Sequence, residues 1–272
     1  MLGNLQKMKT VFGNPVQYYL QMGDDRLQMN EWIGKKIKIE FQNQINCIIC
    51  GRKTKKSFAQ GLCYPCMINA PQNAPCIIRP ELCQAHTAQG KHIEWEQNHH
   101  LQPHIVYLAH SGGIKVGVTT QKNQPSRWID QGATQALVFA KTPYRQLAGL
   151  IEVALKKYIS DKTNWQVMLK QLPNEINFQT HERTLIEQKT LLQTYLPEDL
   201  KQYVTANDDD TVLQIEYPIL DYPQKIKSIN LDKTPAIEST LQGIKGQYLM
   251  FDGGQVFNIR TFSGYLVEIN LV

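Results

Sequence analysis

The chain has 272 residues, of which 42% are hydrophobic and 19% charged, and it carries a formal net charge of +5. This composition is ordinary for a globular protein. No run of residues approaches the roughly 18 consecutive apolar residues of a membrane helix, so the sequence predicts no membrane partner. The mild positive charge permits a polyanionic partner without requiring one.

The N-terminus has no apolar signal core followed by a small-residue cleavage site, so we expect a cytoplasmic protein. All six cysteines fall between residues 47 and 83. In a chain without an export signal, clustered cysteines favour metal ligands over disulfides.

The first predicted elements are short strands within residues 1–46. The segments are PVQYYLQM and KKIKIEFQ, and both are rich in β-branched and aromatic residues. The second segment alternates between apolar and polar residues, which predicts one buried and one solvated face. We treat residues 1–46 as an N-terminal β domain.

Residues 47–103 form a predicted Cys-rich, zinc-binding module. The stretch CIICGRKTKKSFAQGLCYPC contains two C-x2-C pairs separated by twelve residues. Such pairs sit on tight knuckles, and four thiolates complete a tetrahedral structural zinc site with no open position. The predicted ligands are Cys47, Cys50, Cys63 and Cys66.

A second group of soft ligands follows in CIIRPELCQAH. Cys76, Cys83 and His86 would form a second metal site if His92, His99, His100 or His104 supplied the fourth ligand. Six cysteines also leave an iron–sulfur cluster open. The alternative is that the two cysteines are small buried residues and that His86 is a surface histidine.

Residues 104–206 give the most regular pattern of the chain. Two strands, HIVYLAHS and GIKVGVTT, are joined by a glycine pair, and a short helix in PSRWIDQG and a third strand in ALVFAKT follow. The run PYRQLAGLIEVALKKYI places its apolar residues on one helical stripe. Further helices are expected to residue 205, the first with Thr163 or Asn164 as its N-cap.

The polar residues 207–210 (NDDD) are a candidate domain boundary. Strand-like segments follow it, namely VLQIEYPI, QYLMFD, VFNIRT and YLVEINLV. We therefore predict an α+β protein in which C-terminal strands (207–272) combine with residues 1–46 into a small β-barrel, beside a zinc-ribbon-like module and a β-β-α-β-α core.

The hairpin of the core carries residues suited to phosphodiester chemistry. In-line attack on a phosphodiester needs a general base, a cation on the non-bridging oxygens and a metal ion at the leaving oxygen. Tyr107 and Lys115 lie on neighbouring strands, and Arg127 supplies a planar donor suited to phosphate. Glu152 on the following helix could hold Mg²⁺ or Mn²⁺. Taken singly, each could instead be a core aromatic or a solvated charge.

This layout resembles the GIY-YIG nuclease superfamily. Residues 105–107 (IVY) correspond to its first half-motif and residues 115–117 (KVG) to its second, while Arg127 and Glu152 fall where that family has its helix arginine and metal-binding glutamate. Ile105 replaces the first glycine, and Lys115 replaces the second tyrosine, as in some restriction-type members. The resemblance covers about residues 104–160 and implies an endonuclease site.

Over nearly its full length the chain also resembles an uncharacterised bacterial domain-of-unknown-function family. The shared features are CIICGRKTKKSFAQGLCYPC, CIIRPELC, VYLA…KVGVT…RWIDQGA, DKTNW and GIKGQYLMFDGG. This resemblance brings no assigned activity.

The sequence therefore predicts a zinc-containing protein that binds DNA or RNA and has a GIY-YIG-like cleavage site. One alternative is a non-catalytic module that recognises DNA or RNA through the same pocket. Another is a metal-sensing or redox protein that uses the cysteines. The sequence does not set the oligomeric state.

Overall fold

The computed structural model describes residues 1–23, 25–172, 177–206 and 211–272, so the predicted turn at 207–210 lies outside the described residues. Helices and strands both contribute, which confirms the α+β class. The strands are β1 (Leu2–Asn4), β2 (Lys9–Val11), β3 (Gln17–Met22), β4 (Asp25–Gln28), β5 (Lys36–Asn46), β6 (Lys53–Thr54), β7 (His104–His110), β8 (Ile114–Thr120), β9 (Gln135–Thr142), β10 (Leu213–Gln214), β11 (Lys227–Ser228), β12 (Ala236–Lys245), β13 (Tyr248–Phe251), β14 (Gln255–Asn258) and β15 (Tyr265–Leu271).

The α-helices are short except for two, and several begin with a proline in the first turn. None of the helices in the described segments is long and apolar enough to cross a membrane. They are α1 (Tyr64–Asn69), α2 (Pro75–Ile78), α3 (Ile93–His100), α4 (Gln124–Asp130), α5 (Arg145–Leu155), α6 (Trp165–Lys170), α7 (Phe178–Gln193) and α8 (Glu198–Lys201).

The chain divides into two compact units. Unit 1 contains residues 1–73 and 215–272, and unit 2 contains residues 74–214. The first boundary falls inside the segment 47–103, so the first four cysteines belong to unit 1 and the last two to unit 2.

Unit 1 is built on a sheet that combines strands from both ends of the chain. The strand order is β1-β15-β5-β12-β13-β14-β11, with β6 attached to β5. Because β5 alternates as predicted, Ile37 and Ile39 are fully buried on one face. Ile39 pairs with Ile269 on one side and with Ile237 on the other. The pairings form an open path from β1 to β11, and the barrel stays a prediction.

Strands β2, β3 and β4 form a second, antiparallel sheet in unit 1. Tyr18 and Leu20 are buried there, while their neighbours in β3 are partly exposed. This alternation matches the strand expected in the segment PVQYYLQM.

Unit 2 is built on the antiparallel sheet β10-β9-β7-β8. Every residue of β7 from His104 to Ala109 is buried, because β8 and β9 pair on its two sides and α5 and α7 pack against it. The apolar stripe of α5 packs into the same core through Ile151 and Leu155. Asn164 caps α6 by accepting a hydrogen bond from the Val167 N–H, as the sequence predicted.

Candidate functional site

The first cysteine group is formed by two tight turns in unit 1. The first turn follows β5, where the Cys47 N–H donates to the Arg52 carbonyl and the Gly51 N–H donates to the Cys47 carbonyl. Gly51 has a φ of 72°, a conformation that glycine adopts without strain. The turn therefore brings Cys47 and Cys50 to the same side.

The second turn leads into α1. Phe58 and Leu62 exchange backbone hydrogen bonds, and α1 begins directly after Cys63 and carries Cys66. The Ile48 N–H donates to the Gly61 carbonyl at 2.9 Å, which joins the two turns. Residues that are 13 positions apart in sequence are thus held beside each other.

The four sulfurs meet at one place. All four Sγ atoms lie within 4.8 Å of one another, and those of Cys50 and Cys63 are 3.7 Å apart. Cys47 and Cys63 are buried, whereas Cys50 is exposed. Burial favours the thiol, yet backbone hydrogen bonds around Cys50 and Cys63 lower the pKa of Cys47 to about 6. The group could hold a metal ion, with Cys47, Cys50, Cys63 and Cys66 as ligands.

A second group lies in unit 2 and differs from the predicted one in its histidine. Cys76, Cys83 and His100 are buried, and their ligand atoms also lie within 4.8 Å of one another. His86 is exposed and stacks on the Tyr144 ring with the centroids 4.8 Å apart, so it does not belong to this group. His100 takes its place because α3 turns its last residue back towards the two cysteines.

The β7–β8 hairpin places Tyr107 directly opposite Gly117. The Tyr107 hydroxyl donates to the Gln131 side-chain oxygen at 2.8 Å. A Cβ at position 117 would lie 2.5 Å from the Tyr107 hydroxyl oxygen, so only glycine leaves room for this ring orientation. Burial raises the pKa of Tyr107, although Arg127 and Gln131 act in the opposite direction.

Lys115 lies two residues before Gly117 in β8 and is almost fully buried. Its Nζ donates to the Thr163 hydroxyl at 2.9 Å. Burial lowers the pKa of Lys115 to about 8, and the nearby Arg127 guanidinium acts in the same direction. Asp161 and Glu152 partly offset both effects by stabilising the charged form.

Glu152 lies on the inner face of α5. Burial raises the pKa of Glu152, and the Lys156 ammonium, 3.2 Å from its carboxylate, opposes that effect. Lys156 also lies 3.2 Å from the carboxylate of Asp161. This ion-pair network was not predicted from the sequence, although the i,i+4 spacing of Glu152 and Lys156 is typical of such a pair.

The four residues predicted for the cleavage site, two on the hairpin and two on helices, interact electrostatically. Arg127 acts on both Tyr107 and Lys115, and Glu152 acts on the same two residues. Each comes from a different element, namely β7, β8, α4 and α5. The fold therefore assembles a phenol, an ammonium, a guanidinium and a carboxylate in one region of unit 2.

A comparison with family models identifies one match. A model described as "Protein of unknown function (DUF2797)" covers residues 34–267. No curated protein and no solved structure matches the chain.

Proposed function

We propose a function for this chain, which belongs to the DUF2797 family of proteins of unknown function, from the side chains that its hairpin and its cysteines bring together. The proposed function is that of a zinc-containing nucleic-acid-binding protein with a GIY-YIG-like, metal-dependent phosphodiester-cleaving site. Membership in this family confirms the predicted resemblance to an uncharacterised family. The bacterial origin of the family stays a prediction.

The observation that carries the proposal is the convergence of Tyr107, Lys115, Arg127 and Glu152. A scissile phosphate carries negative charge on its non-bridging oxygens, and a planar guanidinium and an ammonium together suit those oxygens. The strand and helix order of unit 2 from β7 to α5 is β-β-α-β-α, as expected of a GIY-YIG-like core.

In the cleavage step, Arg127 and Lys115 would hold the phosphate while water forms a bond to phosphorus and the bond to the leaving oxygen breaks. Tyr107 would act as the base in its phenolate form, after the proton that it donates to Gln131 has passed to solvent, and would then accept a proton from the attacking water. Glu152 would bind the Mg²⁺ or Mn²⁺ ion, which supplies charge stabilisation at the leaving oxygen. The buried position of the carboxylate excludes bulk water and strengthens its interactions with charged groups.

The proposed metal at the four cysteines is zinc. With Zn–S bonds of about 2.3 Å, a regular tetrahedron has S···S edges of about 3.8 Å, close to the 3.7 Å between Cys50 and Cys63. Four thiolates leave no open position, so this zinc would stabilise the fold and would not act in catalysis. Next to it, four exposed cations support a polyanionic partner; they are Arg52, Lys53, Lys55 and Lys56.

Two contacts favour a second candidate, a non-catalytic module that recognises DNA or RNA. Glu152 is ion-paired with Lys156, so a divalent ion would have to compete for its carboxylate. Burial raises the pKa of Tyr107, which keeps the phenol protonated at neutral pH, and its proton already bonds to Gln131. The same cations would then bind a phosphate without cleaving it.

A cleavage assay separates the two candidates. The purified chain is incubated with single- and double-stranded DNA and RNA, with Mn²⁺ and with chelator. We expect Mn²⁺-dependent cleavage that falls at least about 100-fold in Glu152→Gln, because the charged metal ligand is lost. Glu187→Ala changes an exposed glutamate on α7 of the same unit and should cleave normally.

Cleavage that persists in Glu152→Gln would contradict the assigned metal ligand. Absence of cleavage by the wild type, together with salt-sensitive binding, would support the recognition module. Absence of both cleavage and binding would reject both candidates.

A further inference from the structure

The ligand atoms of Cys76, Cys83 and His100 lie at the distances expected around one metal ion. The Nδ1 atom of His100 is 3.3 Å from the Sγ of Cys83 and 3.9 Å from the Sγ of Cys76. Zn–S bonds of about 2.3 Å and Zn–N bonds of about 2.0–2.1 Å give S···N edges of about 3.5 Å in a tetrahedron. The three atoms therefore have the spacing of three corners of a tetrahedral zinc site.

Hydrogen bonds of the backbone hold the two cysteines in this position. The Cys83 N–H donates to the Pro80 carbonyl at 3.1 Å, which closes the turn before this ligand. On the other side, the Arg145 guanidinium donates to the carbonyls of Cys76 and Ile77. Neither cysteine forms a disulfide, so both sulfurs are available as ligands. A site held in this way needs little reorganisation to bind an ion.

The described residues offer no fourth thiolate, imidazole or carboxylate at this point. Glu96 and His104 are also buried in unit 2, but neither has a ligand atom within 4.8 Å of all three. Glu96 instead accepts a hydrogen bond from the His92 N–H at 3.3 Å, at the beginning of α3. Zinc in proteins has at least four ligands, so the side chains of the described segments leave one position open.

The group is buried but lies directly below the surface. Leu82 precedes Cys83 in the chain and is 44% exposed, and Leu101 follows His100 and is 43% exposed. Two of the three ligands are therefore adjacent in sequence to residues in contact with solvent, which leaves only a short path for a water molecule.

We propose that Cys76, Cys83 and His100 bind a second zinc ion whose fourth coordination position takes a non-protein ligand. Two thiolates and one imidazole suit zinc, and sites with three protein ligands keep the fourth position for water or another small donor. The two thiols release their protons to solvent when the ion binds, because only the thiolate form is a ligand.

The open position distinguishes this ion from the one proposed for the four cysteines of unit 1. Four thiolates complete the coordination sphere there, and no molecule can be added without loss of a protein ligand. In unit 2 the added ligand belongs to the class of small donors with one coordinating atom. Water occupies the position at rest, and a small anion or a thiol can replace it.

The first measurement counts the metal ions of the full chain after loading with zinc under reducing conditions. We expect two zinc ions per chain, one for each group. In His100→Ala the affinity for the second ion should fall at least about 100-fold, roughly one ligand's share of the binding energy of structural zinc. His86→Ala and His99→Ala change exposed histidines outside the group and should keep both ions.

The second measurement tests the open position, with Co²⁺ in place of zinc and azide as the added ligand. Azide should bind to the cobalt ion of unit 2 and change the visible spectrum of the wild type in a saturable titration. Cys76→Ser/Cys83→Ser should keep only the ion of unit 1, whose spectrum azide leaves unchanged. The titration of the wild type depends on no variant, so it decides the question even where a ligand variant fails to fold.

A wild type that binds only one zinc ion would overturn the second site. Unchanged affinity for the second ion in His100→Ala would overturn the assignment of His100. Two bound cobalt ions with a spectrum that azide does not change would show that the protein fills the fourth position, and would overturn the open site. None of these results depends on whether the chain cleaves nucleic acid.

Discussion

Lys115 is the hairpin residue whose charge is most sensitive to its surroundings. Its folded-state pKa is about 8, below its ordinary value of 10.5, because it is buried and lies near Arg127. Glu152 and Asp161 face it with negative charge and limit the shift. At neutral pH the side chain is still largely protonated and can hold a phosphate.

We predict that nucleic-acid affinity falls between pH 7 and pH 9, as Lys115 loses its proton. The loss of one phosphate contact should also reduce the salt slope of binding by roughly one unit.

The free energy of unfolding should change with pH in the opposite direction to the affinity. From about pH 8 to 10.5 the unfolded chain holds the lysine proton and the folded chain does not, so stability rises with pH.

Binding titrations at several pH values test this prediction. Lys115→Arg keeps a charge that does not titrate in this range, so it should remove the pH dependence of binding. Lys157→Arg makes the same change at an exposed position and should bind like the wild type. Equal pH dependence in all three proteins would contradict the role of Lys115.

At the scale of single residues, the sequence best predicts the positions of side chains that lie close together within one motif. Tyr107 and Lys115 follow from the hairpin register, and Arg127 and Glu152 follow from the adjacent helices. For the second cysteine group, the sequence names His100 only as one of four possible fourth ligands and includes His86, which the structure leaves outside the group. That choice depends on how α3 turns back towards the cysteines, which local spacing does not encode.

At the scale of elements, the position of α5 depends on the close approach of its backbone to the backbone of the turn at Pro80 and Glu81. Gly149 faces the turn at Pro80 and Glu81, and a Cβ at position 149 would lie 2.5 Å from the Pro80 carbonyl carbon. On the same side of the helix, Arg145 donates to the carbonyls of Cys76 and Ile77. The helix that carries Glu152 thus packs directly on the segment between the two buried cysteines.

We predict that Gly149→Ala destabilises the protein by about 1–3 kcal/mol, because overpacking displaces backbone atoms. In an open helix the same change would be stabilising by up to about 1 kcal/mol. Val153→Ala, on the exposed side of α5, should stay within about 0.5 kcal/mol of the wild type. Chemical denaturation measures all three, and a stabilised Gly149→Ala variant would contradict the packing.

Elements with regular hydrophobic patterns are predicted well, and β12 shows why others are not. Its sequence, AIESTLQGIK, lacks a regular apolar–polar alternation and contains a glycine, so no strand is predicted there. The strand forms because β5 and β13 hydrogen-bond to its two ends. Strand propensity depends on such neighbours more than on the residues themselves.

At the scale of the whole molecule, each compact unit has its own cysteine group. We predict that Cys50→Ser/Cys66→Ser removes the metal of unit 1 and lowers its free energy of unfolding by at least about 3 kcal/mol. In hydrogen exchange by mass spectrometry, residues 45–70 should exchange faster, whereas residues 104–155 should be unchanged.

Ile68→Ser is a suitable control, since Ile68 is an exposed residue of α1 in the same region. It should exchange like the wild type. Equal exchange in the double serine variant and in the wild type would show that the cysteines do not hold a stabilising ion.

The division into units is the part of the fold that the sequence predicts least well. The boundary after residue 73 falls between two cysteine-rich segments of similar composition. The pairing of β15 with β1 and β5 joins residues more than 200 positions apart. The two ends share a strand-like character, but no local pattern specifies their register.

The pairing of β5 with β12 and β15 constrains the order in which the two units can fold during synthesis. Residues 74–214 form unit 2 as one uninterrupted segment, so they can fold as soon as they leave the ribosome. The first strands of unit 1 emerge earlier, yet β5 lacks both of its long partners, β12 and β15, until the end of the chain is synthesised. During that interval its edges are exposed to other nascent chains, and chaperone binding would protect them.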